Sequence, residues 1–133
     1  MTYKALFVAM VFFVASFFDA HGGACKQEAG IATKNVIAEH FGRASWYGPG
    51  FVGRQTASGK TYEPDEVFVA HRSYPFGTIL LVTNLENHRM ILAKVEDRGP
   101  YIPGRSLDLS ERAAKELAMV EHGVVPVAYA VVR

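Results

Sequence analysis

From Arg43 onward, apolar residues recur at alternate positions in short runs, and each run stops at a cluster of turn formers. A period of two is that of an extended strand with one face buried. Arg43–Tyr47 (RASWY) alternates and ends at Gly48-Pro49-Gly50, after which Gly53–Thr61 (GRQTASGKT) reads as a loop. Val67–His71 is a brief apolar run, and Pro75-Phe76-Gly77 is a turn. Thr78–Thr83 and Arg89–Val95 read as paired strands joined by a hairpin turn at Asn84–His88. Arg105–Leu109 is a further short strand. Ser110–Met119 (SERAAKELAM) is the one helical stretch, with Ser110 as N-cap, Leu117 on the inner face and His122-Gly123 closing it. Val124–Val132 is an apolar closing strand, with Pro126 near its start, where a missing N–H is tolerated. About six short strands and one or two short helices predict a mainly β fold, and a small closed barrel removes the exposed edges that such strands would otherwise carry.

The first 42 residues follow neither period. Ala5–Phe18 is an unbroken apolar run behind Lys4, too short to span a bilayer and suited to the core of a secretory signal. Gly22-Gly23-Ala24 then offers small residues before a cut at Cys25, so residues 1–24 are expected to be a signal peptide and the protein to be exported. Cys25 is the only cysteine, which excludes an intrachain disulfide and marks a possible site of lipidation, hence a membrane tether and an outer-membrane lipoprotein. Residues 25–42 read as a linker or N-terminal extension with room for a helical turn around Asn35–His40, and the domain is expected to span residues 43–133. A chain of 133 residues holds one compact domain. A net charge of +1 with scattered Lys and Arg gives no footprint for nucleic acid. The five histidines are dispersed without the spacing of a zinc site, so neither a metal nor another cofactor is expected, and the domain is expected to act as a monomer.

Chemistry is concentrated in Val95–Ser110 (VEDRGPYIPGRSLDLS), where two aspartates flank a Gly/Pro-rich loop. Asp97 follows the Ile91–Val95 run and precedes Gly99-Pro100, which places it at a corner between strand and loop. Asp108 lies between Leu107 and Leu109, so in an extended segment its side chain points opposite to theirs. His71 ends another apolar run. Glycosidic cleavage needs a carboxylic acid to protonate the leaving oxygen, and a barrel is able to gather Asp97, Asp108 and His71 for that purpose. Each residue also has an ordinary reading: Asp108 as part of a helix cap, Asp97 as a turn former bonded to its own backbone, His71 as a packed side chain.

The motifs also carry a resemblance. Ala44-Ser45-Trp46-Tyr47-Gly48, Gly53-Arg54, Thr56-Ala57-Ser58-Gly59, Ala70-His71, Pro75-Phe76-Gly77-Thr78, Val82-Thr83-Asn84-Leu85, Asp97-Arg98-Gly99-Pro100 and Asp108-Leu109-Ser110 stand in the order found in the rare lipoprotein A family. The chain resembles that family from Arg43 to its C-terminus, over the barrel and not over the C-terminal peptidoglycan-binding domain of many members. The resemblance implies a six-stranded double-psi β-barrel, related to the barrels of expansins. It implies a lytic transglycosylase acting on peptidoglycan glycan strands in the periplasm or cell envelope, favouring strands without stem peptides and leaving 1,6-anhydro-muramic acid ends. Residue by residue, it implies Asp97 as acid/base, His71 as a supporting cleft residue and Asp108 as a second acidic position. Trp46 and Tyr47 are expected either to face a sugar ring or to pack in the core, with Arg98 and Lys60 completing the expected substrate-binding set. The alternative is a non-catalytic, expansin-like barrel that binds or loosens wall glycan. One position departs from the pattern: active members carry a glutamate directly after Thr-Ala-Ser-Gly, and this chain carries Lys60. A lysine cannot serve as a carboxylate, so a gain of anhydro-end release in Lys60→Glu would show that the lysine had disabled the site.

Overall fold

The computed structural model describes residues 36–133. The expected signal peptide, Cys25 and the extension before Val36 lie outside the described residues. Six strands, β1 (Val36–Trp46), β2 (Phe68–Ala70), β3 (Ile79–Asn84), β4 (Met90–Asp97), β5 (Leu107–Leu109) and β6 (Val124–Val132), are joined by one short helix, α1 (Glu111–Glu116), and a 3-10 turn at Pro49–Phe51. They close into a barrel in the order β1-β5-β2-β4-β3-β6. Two of the pairings, β1 with β5 and β2 with β4, are parallel, and the others are antiparallel. This is the mainly β closed barrel that the alternation predicts, with the six strands of the double-psi barrel that the resemblance implies.

The alternation seen in the sequence sets which residues fill the barrel. In β3, Leu80, Val82 and Asn84 are buried while Ile79, Leu81 and Thr83 are only half-buried. In β4, Ile91, Ala93 and Val95 point inward and Met90, Leu92 and Lys94 outward. Leu107, Leu109, Val125 and Val127 complete the interior from the other strands, and Leu117 and Met119 from the chain that follows α1. Two buried polar side chains have a partner on each polar atom. Ser110 caps α1 by accepting from the Ala113 N–H, accepts from the Phe68 N–H, and donates to the Glu66 carbonyl. Asn84 donates to the Leu117 carbonyl and accepts from the Glu86 N–H, which ties the β3–β4 hairpin to the end of the helix.

Three boundaries differ from those expected. β1 is described from Val36, so the boundary expected at Arg43 falls inside a strand, and Val36–His40 is extended where the helical turn was expected. The register against β6 shifts between Ile37 and His40, where Ala38 takes a positive φ of 39°. That bulge breaks the alternation, which is why this half of the strand was invisible to a period of two. α1 stops at Glu116, before the expected Met119. The Leu117 carbonyl is taken by the side-chain amides of Asn84 and Asn87, and Ala118 turns to a left-handed φ of 51°. β4 continues to Asp97, because Ala70 pairs with it and the His71 N–H donates to its carbonyl.

At Gly42 of β1 the loop before β5 crosses closely. A Cβ there would collide with the Ser106 Oγ and lie 2.8 Å from the Ser106 Cβ, while the Ser106 N–H bonds the Arg43 carbonyl. Gly42→Ala is therefore expected to lower stability by about 1–3 kcal/mol, the usual cost of overpacking, as measured by denaturant unfolding.

Candidate active site

Strand register gathers the two aspartates. Ala70 of β2 pairs with Asp97 on one side and with Asp108 on the other, and Asp108 pairs with Ser45 of β1. Asp97 and Asp108 thus sit two strand spacings apart, about 10 Å between backbones, and both side chains line one cavity of about 350 Å³. The cavity is walled by aromatic rings from four segments: Tyr47 and Phe51 after β1, Tyr62 and Phe68 before and in β2, and Tyr101 after β4. Tyr47 lies within 6 Å of the Phe51, Tyr62 and Phe68 ring centroids, and Tyr62 meets Phe68 edge-on at 4.9 Å. Arg54 lies over the Phe51 ring at 5.1 Å and faces the same space.

Asp97 is held by three donors. Its Oδ1 accepts from the Ala57 N–H at 2.8 Å and the Arg98 N–H at 2.9 Å, and its Oδ2 accepts from the Tyr47 hydroxyl at 2.7 Å. The two oxygens are not equivalent. Backbone N–H groups only donate, so Oδ1 is fixed as an acceptor. A phenol both donates and accepts, so Oδ2 is the oxygen able to carry a proton without losing its partner. Burial, then the hydrogen bond to Asp97 and the charges of Asp97 and Asp108, push the Tyr47 phenol well above its ordinary range, so it remains protonated. Asp108 accepts from the Ser45 hydroxyl. The helix cap is Ser110 and not Asp108, which leaves the Asp108 carboxylate to the cavity wall.

The other expected residues are placed differently. His71 meets Asp97 through its backbone only. Its ring stacks on Tyr74 at 4.0 Å and does not line the cavity. Its Nδ1 accepts from the Ser73 and Tyr74 N–H groups, so the neutral ring carries its proton on Nε2. Trp46 packs against the core and donates Nε1–H to the Val120 carbonyl at 3.3 Å, the packing alternative and not a sugar face. Arg98 lines the cavity, but its guanidinium donates to the His71 and Tyr74 carbonyls and covers the Phe76 ring at 3.8 Å. Lys60 is away from the cavity, with Nζ 3.2 Å from Glu96 Oε1. It pairs within the protein and does not face the substrate space, because Glu96 lies beside it on β4.

A family model described as lytic transglycolase matches residues 39–129. The chain belongs to that family. The resemblance to rare lipoprotein A proteins is thereby shown, and named relatives agree. An Aquifex aeolicus protein called probable endolytic peptidoglycan transglycosylase RlpA is 56% identical over 85 residues, covering 64% of this chain and 38% of the relative. The Campylobacter jejuni endolytic peptidoglycan transglycosylase RlpA is 48% identical over 86 residues, covering 65% and 31%. The chain thus spans about a third of the length of these relatives. Among solved structures, a Clavibacter michiganensis expansin in complex with cellohexaose superposes with a TM-score of 0.59 at 26% identity, over 72% of this chain and 51% of the expansin.

Sequence reasoning missed Phe51 and Tyr101. Both flank Gly/Pro turns, where a large ring has no core to enter, and that was the available signal. Tyr101 is 76% exposed and Phe51 42%, yet both line the cavity.

Burial, then the charges of Arg98, His40 and Arg72, hold His71 below its ordinary pKa. A histidine that resists protonation when folded binds a proton more readily when unfolded, so its stabilising effect is complete above the unfolded value of about 6.5 and is lost as pH falls. The melting temperature is expected to drop as pH falls below about 6.5, and His71→Asn, which keeps an acceptor near Nδ1 but does not titrate, is expected to reduce that drop in thermal unfolding.

Proposed function

We propose that the barrel is a peptidoglycan lytic transglycosylase with Asp97 as its single acid/base. The observation that carries this reading is the asymmetric hold on Asp97: Oδ1 locked by two backbone donors, Oδ2 facing a reversible phenol at the wall of an aromatic cavity. Family membership and the names of the relatives support the substrate class. In the proposed reaction the proton on Oδ2 passes to the glycosidic oxygen leaving the muramic acid unit, and the C1–O bond breaks. The resulting carboxylate then takes the proton from that sugar's own 6-hydroxyl as O6 bonds to C1. The acid is regenerated, no water is consumed, and the product is a 1,6-anhydro ring. Tyr47 donates to Oδ2 when Asp97 is ionised and accepts when it is protonated. Asp108 adds negative charge to the cavity, where positive charge builds at C1 as the bond breaks. Phe51 and Tyr101 offer apolar ring faces to neighbouring sugars, in place of the expected Trp46.

The same reading takes the protein to be exported to the periplasm or cell envelope, tethered through Cys25 if that residue is lipidated, and to favour glycan strands without stem peptides. A second reading, a non-catalytic wall-glycan-binding barrel, is supported by the likeness to the cellohexaose-bound expansin.

Denuded glycan strands separate the two. Wild-type protein is expected to release anhydro-muramic acid ends, detected by mass spectrometry. Asp97→Asn is expected to cut that rate by about 10²–10⁴-fold with the fold and glycan binding retained. Tyr47→Phe is expected to cut it by about tenfold, the worth of one hydrogen bond. Binding without anhydro ends in the wild type supports the second reading, and reducing ends would mark a hydrolase.

A further inference from the structure

One charged cluster stands outside the cavity. Glu96 precedes Asp97 on β4, at the bulge where Val95 and Asp97 pair with the consecutive residues Val69 and Ala70, and it does not line the cavity. Its side chain is 10% exposed, yet its Oε1 lies 3.2 Å from Lys60 Nζ and 3.3 Å from Lys94 Nζ. Burial alone would oppose ionisation of Glu96, but hydrogen bonds from Ser58, Lys60 and Lys94 together hold its carboxyl below the usual range, so it is charged at neutral pH. The Glu96 backbone carbonyl also accepts the Ser58 N–H at 3.1 Å.

Lys60 closes a tight turn that is bonded within itself. The Thr56 N–H and hydroxyl donate to the Lys60 carbonyl, the Gly59 N–H donates to the Thr56 carbonyl, and Gly59 takes a φ of 89°. A displacement of Lys60 is therefore transmitted to the whole turn. Ala57 belongs to that turn, and its N–H is one of the two donors that lock Asp97 Oδ1.

The geometry points to Glu96 as a positioning residue: through its ion pair with Lys60 it clamps the Thr56–Lys60 turn across β4 so that the Ala57 N–H stays on Asp97. Lys60 then acts as the turn's latch. The kinetic part of this inference rests on the transglycosylase reading, whereas the structural part does not. It also predicts that Lys60→Glu lowers activity and does not restore it. A carboxylate at that position would face the nearly buried Glu96, and like charges at that distance repel.

The test uses Lys60→Glu, Glu96→Gln and the charge-inverted triple variant Lys60→Glu/Lys94→Glu/Glu96→Lys, which leaves no like charges facing each other in the cluster, with two readouts. The first is hydrogen exchange of the Ala57 amide by NMR. It is expected to be slow in the wild type, faster in both single variants by about tenfold or more, and slow again in the triple variant. The second is the rate of anhydro-end release. The kcat is expected to fall roughly 10- to 100-fold in each single variant, the usual result of moving a catalytic group by a fraction of its contact distance, with KM little changed and kcat recovered in the triple variant. A rise in kcat in Lys60→Glu, or unchanged Ala57 exchange in both single variants, overturns the clamp. So does a KM effect without an exchange effect, which would make Lys60 a substrate contact. If the wild type releases no anhydro ends, the transglycosylase reading fails while the exchange pattern still decides the clamp.

Discussion

The Asp97 carboxylate joins three pieces of chain that share no regular pairing: Tyr47 after β1, Ala57 in the turn before β2, and the Arg98 amide in its own loop. Without that group the end of β4, the 53–61 loop and the segment after β1 would have no common partner. The cavity exists because these segments converge there. Its aromatic walls come from the same segments, so the hold on Asp97 and the shape of the binding space are one arrangement.

The barrel makes that convergence affordable in entropy. Its closed sheet fixes the ends of β1, β2, β4 and β5 in register, and Asp97, Ala70, Asp108 and Ser45 fall in one row across them. Only short loops remain to be ordered, and each is tied by named contacts. Arg72 donates to the carbonyls of Pro100, Ile102 and Arg105, which anchors the loop that presents Tyr101. Arg98 holds the segment around Tyr74, and Lys60 with Glu96 holds the turn around Ala57. Loops pinned to a rigid scaffold are the usual means of fixing a catalytic group to within a fraction of an ångström.

Elements with a clean period were legible in the chain. β3, β4 and β6 alternate or run apolar as buried strands must, and Ser110 announced the helix. The first half of β1 was hidden by its bulge, and the helix stops early where Ala118 takes a left-handed φ that no local pattern reveals. For the site, Asp97, Asp108 and Tyr47 were found from their motifs and do line the cavity. Trp46, His71 and Lys60 were drawn in with them because motif proximity says which residues are near in sequence and not which way a side chain turns. Trp46 turns into the core, the His71 ring lies on Tyr74, and Lys60 turns to Glu96. The Lys60–Glu96 pair spans 36 positions, and its energetics depend on a third partner, Lys94. A substitution that looks like a loss when one position is compared has a partner when two are.

In the proposed reaction a glycan strand is cut at Oδ2 of Asp97 inside the aromatic cavity. A crystal structure of the Asp97→Asn protein with a bound denuded glycan oligosaccharide tests it most directly. The expected structure has a glycosidic oxygen within hydrogen-bond distance of the residue 97 side chain, on the atom facing Tyr47, with sugar rings against Phe51 and Tyr101. A strand bound elsewhere on the barrel, or one crossing the cavity with its glycosidic oxygens remote from residue 97, would contradict it.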